Sequence, residues 1–140
     1  MTFPPDLPFG PRAEESERWY SSDVLVLDAV AHVPGGGEVE VRQIIATADF
    51  MDQVLLSREE IERAVNVSMA AGLLAGHEGR LCLTEAGRSL IGRIPAGCLR
   101  ERTLWLQTNV PLTAAAPDPP WRLAEDAYDR AVGAYEHGFA

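Results

Sequence analysis

Apolar side chains recur at helical spacing along most of this 140-residue chain. Val41, Ile44, Ile45 and Ala48, for example, occupy positions i, i+3, i+4 and i+7, which places them on one face of a helix. Proline or glycine follows several of these segments and indicates where each helix ends. The pattern predicts six helices, at about 22–33, 41–50, 58–71, 85–94, 98–109 and 121–136.

The strongest local signal is a capping box at the start of the third predicted helix. Ser57 can accept a hydrogen bond from the amide of Glu60, whose carboxylate can accept one from the Ser57 amide. Gly72 is placed to end this helix, and two short apolar runs follow, joined by a turn with a glycine at each end. We therefore expect a β-hairpin at about 73–83, after which Thr84 caps the next helix.

These elements divide the chain into three predicted regions. Residues 1–20 contain four prolines among apolar side chains, which disfavours helix and strand and predicts an extended arm or a frayed terminus. Residues 21–95 contain four helices and the hairpin, and residues 96–140 form a helical extension for packing or dimerisation. The predicted fold class is mainly α with a small β-hairpin.

Composition limits the class of protein further. Hydrophobic residues make up 46% of the chain and charged residues 24%, as in a globular domain that can bury a core. No apolar run approaches the ~20 residues of a membrane span, so we expect no membrane association. The two cysteines, Cys82 and Cys98, are too few for a disulfide scaffold, and we expect a cytoplasmic protein.

Residues 57–87, SREEIERAVNVSMAAGLLAGHEGRLCLTEAG, resemble the recognition helix and wing of bacterial winged-helix domains. In that family the recognition helix ends in a short sequence motif similar to AAGLL at residues 70–74. The wing ends in a motif similar to LTEAG at residues 83–87. The resemblance covers about residues 22–95 and is nearest to uncharacterised members. It implies a winged-helix domain followed by two further C-terminal helices. Those helices resemble the ones that pair subunits in dimeric regulators. The resemblance implies no particular activity.

Sequence motifs of catalysis and of cofactor or metal binding are missing from the chain. The three histidines lie far apart, and neither cysteine is at ligand spacing from another Cys or a His. CxxC, HExxH, EF-hand, GxSxG and phosphate-loop motifs do not occur. We therefore expect a non-enzymatic protein with no catalytic, cofactor-binding or metal-binding residues.

The resemblance implies that helix 58–71 would enter the major groove if the domain binds DNA. Arg63 and Asn66 are suited to reading bases, whereas three glutamates crowd the same helix where phosphates would lie. The candidates for contact with DNA or another partner are Arg58, Glu59, Glu62, Arg63, Asn66, His77 and Arg80.

The charge balance favours a protein partner over DNA. Twelve arginines, with no lysine, face 21 acidic residues, and the net charge is −9 for the chain and −5 for residues 21–95. DNA binding depends on basic side chains that neutralise phosphates, whereas an acidic face suits a basic protein. We expect a regulatory protein that binds a macromolecular partner. The alternative is a dimeric DNA-binding transcriptional regulator using helix 58–71 and the wing at 76–80, ahead of a small-molecule sensor or an enzyme.

Apolar residues beyond position 95 point to self-association. They lie outside a complete three-helix core, so a monomer would expose them unless the last helices fold back onto it. Fold-back is the alternative to a homodimer. The predicted dimer contacts are Leu99, Trp105, Leu106, Trp121 and Tyr135.

Overall fold

The structure is a computed structural model, and it describes residues 18–33, 37–77, 79–112, 117 and 119–136. These residues form six helices and one hairpin with their connections. This confirms a mainly α fold with a small β-hairpin. In chain order the elements are α1 (Ser21–His32), α2 (Val41–Asp52), α3 (Arg58–Ala70), β1 (Leu74–His77), β2 (Arg80–Leu83), α4 (Glu85–Arg93), α5 (Leu99–Asn109) and α6 (Glu125–Glu136).

The hairpin is joined by a short third segment from the connection between α1 and α2. Strands β1 and β2 pair antiparallel, with Leu74 opposite Leu83. Val39 forms an isolated antiparallel bridge with Leu81, and its amide donates to the Leu81 carbonyl at 2.7 Å while the Leu81 amide donates back at 2.9 Å. The bridge joins the hairpin to the segment just before α2.

Both predicted caps are present. The Ser57 hydroxyl accepts from the Glu60 amide at 3.1 Å, and the Glu60 carboxylate accepts from the Ser57 amide at 2.8 Å. The Thr84 hydroxyl accepts from the amide of Gly87 at 3.0 Å. Gly72, at φ +78°, reverses the chain after α3 in a conformation that favours glycine.

Helix α1 lies at the centre of the molecule. Every residue from Ser21 to Val30 is buried, because α2, α3, α4, α5 and strand β2 all pack against this helix. Leu106 of α5 and Leu123, before α6, belong to the same apolar core. The predicted 21–95 and 96–140 regions therefore share one core.

The N-terminal boundary of the core lies inside the predicted arm. Residues 1–17 of that arm lie outside the described residues, but Trp19 and Tyr20 are buried. The Trp19 indole donates to the Val110 carbonyl at 2.7 Å, and the Gln107 side chain donates to the Trp19 carbonyl at 2.6 Å. These bonds tie the chain before α1 to the end of α5.

The last helix begins four residues later than predicted, at Glu125. Pro119 and Pro120 precede the segment, and the main-chain groups of Trp121 and Leu123 hydrogen-bond to side chains of α3. Residues 121–124 are irregular, and the carbonyls of Trp121 and Leu123 accept from Asn66 and Arg58.

Candidate functional site

Helix α3 carries five of the seven predicted contact residues, and it is covered on nearly every side. All thirteen of its residues are described, and among them Glu59 alone is exposed. The apolar face, with Ile61, Ala64 and Val65, packs into the core against α1. The polar face is partly covered by other parts of the same chain, which leave the Arg58 side chain 30% exposed and the Glu62 side chain 19% exposed.

Arg63 is held in a buried ion pair. Its guanidinium lies 3.3 Å from the carboxylate of Asp23, and the two side chains are 11% and 0% exposed. It also stacks over the Tyr20 ring at 4.0 Å and donates to the Arg18 carbonyl. Arg63 therefore joins α3 to the start of α1 and points into the molecule.

Asn66, Glu62 and Arg58 bind the main chain of residues 121–123, which we call the closing segment. The Asn66 amide donates to the Trp121 carbonyl and accepts from the Trp121 amide, both at 2.8 Å. The Glu62 carboxylate accepts from the Leu123 amide at 2.8 Å, and Arg58 donates to the Leu123 carbonyl at 3.1 Å. Four hydrogen bonds thus fasten an irregular segment along the polar face of α3.

The other three predicted contact residues lie outside this arrangement. Glu59 is exposed at the first turn of α3, 3.2 Å from the Arg58 guanidinium. His77 and Arg80 are opposite one another at the exposed end of the hairpin. Arg80 reaches the carboxylate of Glu40 at 3.4 Å, so its charge is directed toward the start of α2. The structure therefore brings together Arg58, Glu62 and Asn66 on the closing segment, and His77 and Arg80 lie apart from them on the hairpin.

Two buried carboxylates anchor α1, and burial raises the pKa of both. The pKa of Asp23 rises to about 6, an effect of burial that the positive charge of Arg63 offsets only in part. The pKa of Asp28 is also raised by burial, although Arg102 of α5 lies 2.6 Å away and opposes the effect. Asp23 also accepts from the Tyr20 amide at 2.8 Å, which caps the helix. These ion pairs connect neighbouring helices, and Asp28 and Arg102 also line a surface cavity of about 390 Å³.

The five predicted dimer residues pack against this chain's own core. Leu106 is fully buried, and Leu99, Trp105, Trp121 and Tyr135 are partly buried against the core cluster. The described part of α6 has no fully buried residue, but its Tyr135 hydroxyl donates to the carboxylate of Asp49 on α2. The last two helices thus fold back within one chain, the arrangement that was the alternative to a dimer.

Two apolar side chains near the end of α2 are exposed, and periodicity did not predict them. Phe50 is 87% exposed and Leu55 is 53% exposed. They flank a short connection to α3 in a region that also contains Asp49, Asp52 and Glu59. Apolar residues among positions 50–56 are the sequence signal for this surface, but their spacing does not show which side chains face outward.

The described residues contain no group of three or more His, Cys, Asp or Glu side chains that could hold a metal ion. Cys82 is partly buried and Cys98 is exposed, and both are free thiols. None of the described helices is both long enough and apolar enough to cross a membrane.

Comparison with protein-family models, curated proteins and solved structures gives no match to this chain.

Proposed function

We propose that this chain is a winged-helix regulatory protein that acts by binding a macromolecular partner, and that the partner is a protein rather than duplex DNA. The order of helix, bridging segment, two helices and hairpin supports a winged-helix domain, since the Val39–Leu81 bridge supplies the short first strand of such a domain. The sequence resemblance over residues 57–87 supports the same proposal.

The observation that carries the preference for protein is the covering of α3. A DNA-reading helix must present its polar side chains to base edges in the major groove. Here Asn66 and Arg58 bind the closing segment, and Arg63 is paired with Asp23. The exposed residue of α3 is an acid, Glu59, which repels phosphate.

A titration of the whole protein with labelled duplexes tests this preference. Fluorescence anisotropy at about 150 mM salt, with random duplexes and with duplexes from upstream of its own gene, should show only weak and salt-sensitive binding. A dissociation constant of ~10⁻⁸ M or tighter for one sequence is typical of specific regulators and would overturn the preference for protein.

The exposed surface around Phe50 and Leu55 is the face on which the protein partner would bind. Its apolar side chains, which are close in sequence to Asp49, Asp52 and Glu59, suit a segment that is both apolar and basic. Opposite charges would steer the encounter, and burial of Phe50 would supply binding free energy.

Capture from the native cytoplasm, with bound protein and bound DNA both identified, tests the partner class. The tagged wild type and the Leu104→Ser variant, which changes a 42% exposed leucine on α5, should retain the same basic protein. Phe50→Ser should lose it. Recovery of a specific DNA sequence, or protein capture that Phe50→Ser does not change, would contradict the proposal.

The second candidate is the dimeric DNA-binding regulator. One observation favours it: the groups that bind Arg58 and Asn66 are main-chain groups of one short segment, so displacement of that segment, with Leu123 leaving the core, would expose them. The duplex titration distinguishes it from the first candidate. Light scattering tests the dimer separately, because a mass near 15.2 kDa at micromolar concentration would exclude it.

A further inference from the structure

A groove of about 430 Å³ lies between the C-terminal segment and the start of α2. Its apolar walls include Val41 on one side and Trp121, Leu123, Ala127 and Ala131 on the other. The small side chains of α6 leave the space open along one face of the helix. This volume is within the range of small-molecule sites, which are mostly apolar with a few polar groups.

Positive charge is concentrated at the rim of this groove. Three of the twelve arginines, Arg42, Arg122 and Arg130, line it together with one acid, Glu40. Glu40 already accepts from Arg42 at 2.9 Å and lies 3.4 Å from Arg80, so two guanidiniums share its charge. Arg122 and Arg130 lie near Glu62 and Asp126, so the rim is a set of ion pairs in which three of the lining residues are arginines and one is an acid.

The rim arginines can accept a further anionic group at little cost. Arg122 is 75% exposed and 3.8 Å from Glu62, a carboxylate that also lies 3.7 Å from Arg58. Arg130 is 73% exposed, and its ion pair with Asp126 is in solvent. Exposed pairs of this kind contribute little, and each guanidinium has five donors, so a ligand carboxylate can join or replace the present partner.

We propose that this groove binds a small amphipathic carboxylate, with its apolar body against Trp121 and Ala131 and its carboxylate between Arg122 and Arg130. The bound molecule would contact both the closing segment and the first turn of α2. The proposal does not depend on which macromolecule the protein binds.

Another groove, of about 490 Å³, provides a comparison within the same molecule. It is lined by Val30, Ile91 and Cys82 and has one arginine, Arg88, at its edge. An apolar molecule could enter either groove, but only the groove beside α6 has several arginines to hold a carboxylate. A charge-dependent ligand should therefore distinguish the two.

Titration of the full-length protein with octanoate, followed by amide chemical shifts, tests the proposal. Octanol and octylamine serve as neutral and cationic probes with the same chain. We expect octanoate to shift amides of residues 41–42 and 121–134 and to bind about tenfold or more tightly than octanol, because its carboxylate forms charge-assisted hydrogen bonds. Octanol binding as tightly as octanoate, or shifts confined to the other groove, would overturn the proposal.

Two variants and one control locate the site. Arg122→Glu with Arg130→Glu reverses two exposed charges and should weaken octanoate binding by about tenfold or more without unfolding the protein. Ala131→Trp should block the groove, and Arg88→Gln should bind octanoate like the wild type. If the double reversal binds octanoate like the wild type, or if Arg88→Gln is the variant that loses binding, the assignment is wrong. Circular dichroism establishes that each variant is folded.

Discussion

Replacing Arg63 by methionine should destabilise the protein by about 3–5 kcal/mol at about pH 7, the range for removing one partner of a buried ion pair. The side chain is 11% exposed and Asp23 is fully buried, so water cannot replace the lost charge. This outcome differs from that of a DNA-reading arginine, whose loss changes binding and leaves stability nearly unchanged.

The magnitude can be worked from three contacts. Without Arg63, the carboxyl of Asp23 can protonate, and for a folded pKa of about 6 this costs about 1.4 kcal/mol at about pH 7. The charged hydrogen bond to the Arg18 carbonyl is worth about 1.5–3 kcal/mol. Stacking on Tyr20 adds about 0.5–2 kcal/mol, part of which methionine retains.

Urea unfolding followed by circular dichroism measures the change at two pH values. At about pH 4.5 Asp23 is protonated in both proteins, so the loss should be smaller by about 1.4 kcal/mol. Arg130→Met, which breaks an exposed pair with Asp126, is the control and should stay within about 0.5 kcal/mol of the wild type. A loss for Arg63→Met below about 1 kcal/mol, or an equal loss at both pH values, would refute the reasoning.

Three further changes test the fold. Burial raises the pKa of Asp23 from 3.8 to about 6, so between these pH values the folded state binds more protons than the unfolded state. The contribution of Asp23 to the free energy of unfolding should therefore fall by about 3 kcal/mol as the pH rises from 3.8 to about 6. Asp23→Asn should remove this slope from urea unfolding curves. Gly87→Ala would place a methyl group against the Leu73 carbonyl oxygen, so it should destabilise the protein by about 1–3 kcal/mol and lower the thermal midpoint. Gly92→Ala is the control: it adds a methyl group in open space on the same helix and should be neutral or stabilising. Ser57→Ala should cost about 1 kcal/mol in chemical denaturation through loss of the α3 cap, and an unchanged midpoint would contradict that assignment.

The parts of the fold that could be predicted from sequence depend on residues close together in the chain. The Ser57 cap joins residues three positions apart, and the hairpin joins two runs across one turn. Helical spacing likewise identified the six helices, because one buried face repeats every three or four residues.

The candidate site depends on contacts that no local pattern contains. Arg63 and Asp23 are 40 positions apart, and Asn66 and Trp121 are 55 apart. From sequence, Arg63 and Asn66 were polar residues on an amphipathic helix, which is the same pattern whether they face DNA or another part of the chain. Pro117, Pro119 and Pro120 disfavour a helix before the closing segment, but prolines do not indicate which helix the chain then contacts.

The hydrogen bonds of the closing segment have the chemical form of base recognition. Asn66 uses one donor and one acceptor on Trp121, the same pair of groups that reads the edge of adenine, and Arg58 donates to a carbonyl as it would to guanine. For DNA, the ligand of the second candidate function, the segment would be a tethered competitor, present at the high effective concentration that covalent attachment confers. A partner that needs α3 uncovered binds with its intrinsic affinity multiplied by the fraction of open molecules, so a hundredfold preference for closure would weaken it about a hundredfold. If the second candidate function holds, changes in residues 119–124 alone would then alter the affinity of α3 for DNA, with every residue of α3 unchanged.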